Sequence, residues 1–589
     1  MEKMIKILLL PAIISLAASC TKFLDRSPYD EISSENVFRS ATLAESVVNG
    51  AYSNLRYDYS NGSRDILNWD AFSSVMDPTD AHIFLNYSYL TGTIQPNNSS
   101  FLTYWQRLYE GVARANDVIN NIAQVPDMSE AVKKQRIAEC KFLRAYHYYR
   151  LNCLWRGVPV YLENLPSAAY TKPRASEQEV WNTIINDLND CINTAELPDK
   201  YAANSADYGR VTKGAAYTLR GKVYMWMKKW DLAELDFRKV GDLGYSLYTG
   251  NYADLFKLAQ EKSNEMIFSV QMEELSGMGN TFSYTYGNRM TTGAGNSSFF
   301  MNTKFVETYE WADGKPFSWD DVIPGYSSMD PKARSVFFLR DNLNTTEQTA
   351  MQTYGADMSK YLPTGNEARI KAAYANRDAR LSATVITPYS VYSGGFSGSA
   401  INYSPRWPFR SSAAAPYDLQ TNSNSHMLYS IRKFVTEGRE FININFNPVD
   451  VPIFRYADVL LSLAEALNEQ GNYQDAIVYV NQVRSRANLA PLNQPGNPYV
   501  AVNNSDELRP RIRNERKWEL ACEEQLYYDE LRWGTWKDDK FSTGNGLLEV
   551  WGEPVYTYNW GGAAYLKWPI PSAELERNTN LDQNDHWQR

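Results

Sequence analysis

Along residues 451–488 the apolar positions recur with helical spacing. Ala457, Leu460, Leu461 and Ala464 fall at i, i+3, i+4 and i+7 and so share one helical face. Ala476, Val480, Val483 and Ala487 do the same. Gly471-Asn472 between them is a helix stop, because glycine readily takes the left-handed position that ends a helix. Two amphipathic helices joined by a tight turn, with small residues such as Ala464 and Ala476 where the backbones meet, have the form of a tetratricopeptide hairpin. Such a unit cannot bury its apolar face alone and requires neighbours.

The rest of the chain supplies them. Helical patterns at 41–55 and 101–122 make one pair, the second with Trp105, Leu108, Val112 and Ala115 on one face. A long helix at 129–155, stopped by Gly157-Val158-Pro159, pairs with one at 177–194, which opens with a capping box of Ser176 and Glu179. In 213–241, Leu219, Gly221 and Tyr224 lead through Trp230 to Ala233 and Phe237, close to the small/large alternation of the repeat. Residues 56–100 read as long loops, 265–270 as a short strand, and 566–584 as an irregular tail. Residues 275–450 are rich in Gly, Ser, Asn, Pro and aromatics, with helical patterning only at 304–312 and 368–379. One continuous helix is expected at 507–531. The predicted fold is mainly α: four tetratricopeptide-like hairpins form a scaffold (about 41–245 and 452–534) around a loop-rich insertion (about 275–450), with minor β structure. Binding residues concentrate on loops held by a rigid scaffold, so ligand contacts are expected in the insertion and in 56–100.

Composition narrows the function. A net charge of −9 gives no global pull toward nucleic acid or anionic lipid. The 41 Tyr and 16 Trp are enough to fill interhelical space or to line a binding surface. At the N-terminus Lys3 and Lys6 precede an apolar run, 7–17, too short to span a bilayer. Ala17-Ala18-Ser19 before Cys20 resembles a bacterial lipobox, with Leu16 one place further from the cysteine than usual; a plain secretory signal is the alternative. On the first reading residues 1–19 are a lipoprotein signal peptide, Cys20 is lipidated, and 20–589 form a single domain anchored to a membrane rather than crossing it. Cys140 and Cys153, on one helix and roughly 20 Å apart, cannot pair. With Cys191 and Cys522 they are expected to be buried free thiols.

An ordered set of short motifs carries a resemblance. It comprises Cys20 with Phe23-Leu24-Asp25 and Pro28; Trp105 with Ala115-Asn116; Phe142-Leu143-Arg144-Ala145; Gly157-Val158-Pro159; and Gly209-Arg210. Tyr309 with Asp313-Gly314, Arg377-Asp378-Ala379-Arg380 and Arg455-Tyr456-Ala457-Asp458 follow, then Ala464-Glu465-Ala466-Leu467-Asn468. Glu515-Arg516, Glu519-Leu520, Asp529, Leu531-Arg532-Trp533-Gly534 and Pro569-Ile570-Pro571 complete it. In this order they resemble the SusD/RagB family of outer-membrane nutrient-binding lipoproteins of Bacteroidota. The resemblance is dense before 245 and after 450 and sparse from 275 to 440. It implies a non-catalytic surface lipoprotein that captures glycan fragments and caps a SusC-like TonB-dependent transporter. It does not say which glycan.

Sugar binding needs flat apolar faces for the C–H side of a pyranose and polar groups for its hydroxyls. Two regions offer both: Trp69, Tyr87, Tyr89, Asn97 and Asn98 in the first, and Tyr284, Tyr286, Asn288, Arg289 and Trp319 in the second, with Trp407 beyond. Singly each of these residues is explained by packing or a plain surface position; together they suggest an aromatic platform. The helical aromatics Tyr146, Tyr148, Tyr149, Trp226 and Tyr527 read as core or groove residues. His82, His147, His426 and His586 are scattered, and no HExxH, P-loop, GxGxxG or nucleophile-elbow pattern occurs. No cofactor or metal is expected: Asp320-Asp321 is a weak candidate for Ca²⁺, with nothing like an EF-hand loop around it. The alternating charges of 515–525 and 529–533 read as intrahelical ion pairs. Two other functions fit less of the chain: a tetratricopeptide adaptor for protein or peptide, and a secreted glycoside hydrolase.

Overall fold

The computed structural model describes residues 37–60, 68–79, 85–291, 295, 297–395, 398–422, 426–441 and 443–588. Cys20, the signal segment, the motif residues at 23–28 and His82 lie outside them.

Ten helices frame the molecule: α1 (Ala41–Ser53), α2 (Ser99–Asn121), α3 (Glu130–Trp155), α4 (Glu177–Asn193), α5 (Lys213–Trp226), α6 (Trp230–Asp242), α7 (Tyr456–Glu469), α8 (Tyr473–Arg486), α9 (Ser505–Leu520) and α10 (Leu526–Trp533). Each packs on the next from α1 through α8, and α7 also meets α9. The four predicted hairpins therefore stack as one scaffold. The apolar stripes read from the sequence are its seams: Ala457, Leu460, Leu461, Ala464, Ala476, Val480 and Val483 are all buried. Gly221 of α5 lies against Phe237 of α6, where an added Cβ would come within 2.6 Å of the ring, so the small/large pairing is steric. Gly471, at φ 85°, ends α7 as expected.

Although α6 and α7 are distant in sequence, they are neighbours because the intervening chain leaves and returns through one antiparallel pair. Strand β2 (Met266–Val270) pairs with β4 (Val451–Arg455), Met266 opposite Arg455 and Val270 opposite Val451. A second small ribbon joins β1 (Met76–Pro78) to β3 (Phe299–Met301). The insertion holds more helix than its composition suggests. Thr303–Thr308 and Asn366–Tyr374 fall on the two predicted segments but stop at 308 and 374, short of 312 and 379, while Thr345–Tyr354 was not foreseen and is opened by a capping box of Asn344 and Glu347. Residues 56–100 are likewise not all loop, since Trp69–Phe72 and Leu85–Leu90 are helical. The tail contains the helix Ser572–Arg577.

The predicted helix at 507–531 is two helices. It breaks at 521–525, where Cys522 and Glu524 adopt φ 68° and 61°. The break lets Glu519 and Glu523 grip one side chain. Arg455 donates through Nη1 to Glu519 (2.5 Å) and Glu265 (2.7 Å) and through Nε to Glu523 (2.6 Å). Glu519 also receives Arg380 at 3.0 Å and Arg486, and Glu515 receives Arg380 at 2.7 Å and Arg484 at 3.1 Å. Arg516 holds Asp458 (2.8 Å) and Asp529 (2.6 Å). The intrahelical reading of these charges is thereby corrected. Glu515, Arg516 and Glu519 are buried and pair across elements, because a charge removed from water needs partners that its own helix face cannot supply in sufficient number. Arg532 with Asp529 (3.0 Å) is an exception that does lie within one helix.

Cys140, Cys153, Cys191 and Cys522 are free and buried.

Candidate functional site

The β1–β3 ribbon brings together the two regions in which ligand contacts were expected. Met76 faces Met301 and Pro78 faces Phe299, Thr79 N–H donates to the Ser298 carbonyl (2.9 Å), and the Asn68 amide donates to the Tyr286 hydroxyl. Residues 281–291 then fold into a compact turn. Ser298 N–H donates to the Thr285 carbonyl (2.8 Å), and Ser283 is held by Thr436 (2.9 Å) and Asn447 (3.1 Å) from the far end of the insertion.

Most of the predicted aromatics turn inward. Trp69 is fully buried among Tyr104, Tyr528 and Trp568, ring centroids 4.9 to 5.4 Å away, with the Arg150 guanidinium 4.9 Å over its ring. Tyr89 is equally buried and donates its hydroxyl to the Tyr565 carbonyl (2.8 Å). Tyr286 stacks on Phe282 at 5.0 Å and 7°. Trp319, 5% exposed, donates its indole N–H to Glu307 (2.7 Å) and stacks on Tyr326 at 4.8 Å. Trp407, 7% exposed, packs on Trp551 at 5.3 Å. As placed, these five rings are core: large apolar area drives them inward, and their polar tips or ring faces are taken up by protein. Asn98 is the N-cap of α2, accepting from Ser100 N–H (2.9 Å). Asn288 is buried and sets its turn by accepting from Met290 N–H (2.9 Å).

Besides Asn98, which is half-buried, four predicted residues reach the surface. Asn97 and Arg289 are exposed, and Tyr87 and Tyr284 are half-buried. Tyr284 and the Arg289 guanidinium have no side-chain partner among the described residues. Tyr87 packs edge-on against Tyr556 at 5.0 Å, and Tyr556 in turn donates to the Pro78 carbonyl (2.6 Å), so this aromatic pair sits at the ribbon's end. Tyr556 was missed because it lies on a short strand near the C-terminus, Pro554–Thr557, too brief for periodicity to mark it.

A cleft of about 280 Å³ shares Thr436 and Asn447 with the hydrogen bonds that hold Ser283. Phe256, Phe434 and Phe441 line it together with Asn251, Lys257, Arg432, Glu437 and Glu440. Lys257 and Glu440 approach to 3.9 Å, and Arg432 and Glu437 to 3.5 Å. These pairs are partly solvated and therefore weak. Sequence gave no sign of this cleft, whose walls come from three separated segments.

The remaining polar candidates have local tasks. Asp320 accepts from Ser327 N–H (3.3 Å) and Asp321 pairs with Lys315 (2.8 Å), so the two carboxylates do not converge on a common point. Burial, reinforced by Arg150 and Arg114, lowers the His147 pKa to about 3, leaving a neutral packed ring. His426 sits 2.9 Å from Glu549.

Comparison with known proteins gives this arrangement its context. The model of the SusD family matches residues 264–587, and a second model, described as starch-binding associating with outer membrane, matches residues 22–225. The chain belongs to the SusD family. SusD-like protein P25 of Formosa agariphila is 25% identical over 96% of this chain and 95% of its own length. Starch-binding protein SusD of Bacteroides thetaiotaomicron is 23% identical over 78% of this chain and 74% of its own. Among solved structures, a SusD-like protein of Bacteroides fragilis superposes with TM-score 0.73 at 22% identity, covering 95% of this chain and 100% of that one. A SusD-like carbohydrate binding protein of the same organism gives 0.72 at 23%, covering 93% and 100%. A laminarin binding SusD-like protein gives 0.61 at 21%, with the same coverage. These similarities establish the fold. Within it, residues that suggested the SusD family, such as Arg380, Arg455, Glu515 and Glu519, lie in the buried ion-pair junction rather than in the 281–291 turn, with Arg455 5.6 Å from the ring of Phe256, a wall of the cleft.

Proposed function

We propose that this chain is a non-catalytic carbohydrate-binding protein held at the outer membrane by lipid on Cys20. It captures oligosaccharides at the 281–291 turn and the adjoining cleft and passes them to a SusC-like TonB-dependent transporter. The observation that carries the reading is the pairing, on one turn, of a half-exposed phenol ring and an exposed guanidinium, neither with a side-chain partner among the described residues, beside a cleft with phenylalanine walls and a charged, amide-bearing rim. Pyranoses bind to such surfaces: the ring face takes the C–H groups and the fork of the guanidinium takes hydroxyl pairs. Tyr87 with Tyr556, and Asn97, are the further contacts proposed. Family membership supports the class of ligand, since relatives and structural neighbours are named as starch-binding, carbohydrate-binding and laminarin-binding proteins.

A glycan array with the mature protein selects the ligand, and calorimetry with Tyr284→Ala and Arg289→Ala tests the site. Each variant weakens binding about tenfold, an energy of about 1.4 kcal/mol, without loss of fold. Unchanged affinity in both variants removes the turn from the site. No glycan binding, with peptide binding instead, favours an adaptor; reducing ends released from a polysaccharide panel favour a hydrolase. Cys20→Ala releases the protein from membranes, and unchanged fractionation excludes the lipid anchor.

A further inference from the structure

We propose that a second site, formed by the 199–212 loop and β2, binds saccharides bearing a carboxylate or sulfate. It is a cleft of about 440 Å³ that shares no lining residue with the cleft beside the 281–291 turn. Its charged lining residues are Lys200, Arg210 and Lys262, with no Asp or Glu among them, in a chain whose net charge is −9. Tyr201, Tyr208 and Tyr245 supply rings, and Ser263 and Gln271 supply a hydroxyl and an amide oxygen, the Asn264 side chain being taken up by Lys200, Gly244 and Ser246.

The two lysines make the case. Lys200 is half-buried, donates to the Gly244 carbonyl (3.0 Å) and to the Asn264 side chain, and lies 4.5 Å over the Tyr245 ring. It has no carboxylate partner among the described residues, and burial lowers its pKa. Lys262 is exposed, 5.5 Å from the Tyr208 ring, and makes no ion pair or hydrogen bond among the described residues. Taking an ammonium partly out of water without a counter-ion is unfavourable, so an anion arriving at Lys200 relieves a cost the folded chain already carries. Arg210 is not free to do this. Glu45, Glu139 and Asp207 occupy its guanidinium at 3.1, 2.9 and 3.1 Å. The carboxylates whose charge reaches Lys262, Glu261 and Asp450, are not lining residues, and Asp450 is taken up by Gln271 (2.6 Å) and Met272 N–H (2.8 Å).

Ring positions are fixed rather than floppy. Gln135 donates to the Tyr201 hydroxyl (2.7 Å), and Tyr208 donates to the Glu261 carbonyl (3.2 Å). A bare inorganic anion needs none of these rings. A sugar with one charged substituent uses all three kinds of group: ammonium for the charge, rings for the C–H face, the Ser263 hydroxyl and the Gln271 amide oxygen for hydroxyls. The saccharide part of the proposal rests on the carbohydrate reading above; the anion part stands on the lysines alone.

Calorimetry on the mature protein tests it, with oligogalacturonates, oligomannuronates, heparin-derived disaccharides and sulfated galactan oligosaccharides as probes, and neutral maltotriose and sodium sulfate as controls. At least one anionic saccharide should bind, with affinity falling about tenfold as salt rises through the range where the Debye length shortens below about 10 Å. Lys200→Met and Lys262→Met each weaken that binding about tenfold while Tyr284→Ala leaves it unchanged. The methionine keeps the stem against the tyrosine ring, and Lys262→Glu, at an exposed position, serves if Lys200→Met does not fold. The proposal fails if no anionic probe binds at millimolar concentration, or if binding survives both lysine substitutions. It also fails in its saccharide part if sodium sulfate competes as well as the best sugar. Loss of anionic binding alone leaves neutral-glycan capture at the 281–291 turn untouched, so the two readings fall separately.

Discussion

At the junction of α7, α8 and α9 the guanidiniums of Arg380, Arg455 and Arg484 are buried and each meets at least two carboxylates, whereas at the 281–291 turn Arg289 is exposed and meets none among the described residues. The two regions use one side-chain chemistry for opposite ends. In the junction, charge is enclosed and spent internally, so it fixes how six separated segments of chain, at 265, 310, 378–380, 455, 484 and 515–519, meet. At the turn, charge stays at the surface, where the proposed function gives it to a ligand. Several residues that mark the family, Arg380, Arg455, Glu515 and Glu519 among them, belong to the first region and none of its motifs falls in the turn, which explains how a chain can be assigned to its family while its sugar stays unnamed.

The sharpest way to break this contrast is at Glu519. Burial alone would raise its pKa, but the guanidiniums of Arg486, Arg455 and Arg380 overcome that and hold the carboxyl well below the usual range. Glu519→Ala strips one carboxylate from three buried cations and costs about 3–5 kcal/mol. Urea unfolding followed by circular dichroism measures this, and a loss under about 1 kcal/mol would mean that Glu265, Glu515 and Glu523 suffice without it. Trp319→Ala belongs to the same class and costs about 3–5 kcal/mol through the cavity it leaves, although the residue looked like a sugar platform in sequence.

A smaller effect separates charge that is paired from charge that is merely buried. Asp450 has its pKa raised to about 7 by burial and then by Glu261. Its folded pKa exceeds the ordinary 3.8, so its contribution to stability is fully present below that value and is lost as pH rises toward 7. Asp450→Asn removes this decline, and the Gln271 amide can flip to accept from it. The urea midpoint of the variant should therefore gain on the parent between pH 5 and pH 8. An equal difference at both pH values would show the carboxyl to be ionised throughout. For Glu519 the sign is reversed, with stability present above the ordinary glutamate range and lost in acid.

How much of this was legible in the residues follows from where the information is local. The hairpins were, because 3.6-residue periodicity, Gly471 and the Ser176–Glu179 box are written within a few turns of chain. The break at 521–525 was not. Glu519 and Glu523 read as members of intrahelical ion pairs until Arg455, far upstream, is set beside them. Loop aromatics failed for a related reason. Tyr284 and Tyr286 stand two positions apart in one turn, and only tertiary packing puts Tyr286 on Phe282 and leaves Tyr284 half-exposed. The Phe256–Phe441 cleft draws on three segments, none distinctive alone.

At the turn the expected change is in affinity. Tyr284→Ala weakens binding of the glycan selected by array about tenfold, about 1.4 kcal/mol, while the melting midpoint stays within about 2 °C of the parent. A variant that lost both stability and affinity would place Tyr284 with Trp319 in the core and erase the distinction between the regions.

The smallest effect is the most local. Ser176 Oγ accepts from Glu179 N–H at 3.3 Å, and the Glu179 carboxylate accepts in return from Ser176 N–H at 2.8 Å, closing the first turn of α4. Ser176→Ala leaves that turn's backbone donor to water and costs about 1 kcal/mol of unfolding free energy. The box contributes no residue to the cleft beside the 281–291 turn, so glycan affinity measured by calorimetry should not change. If it does, loosening one end of α4 reaches the loops, and the scaffold takes part in recognition rather than only holding the binding surface in place.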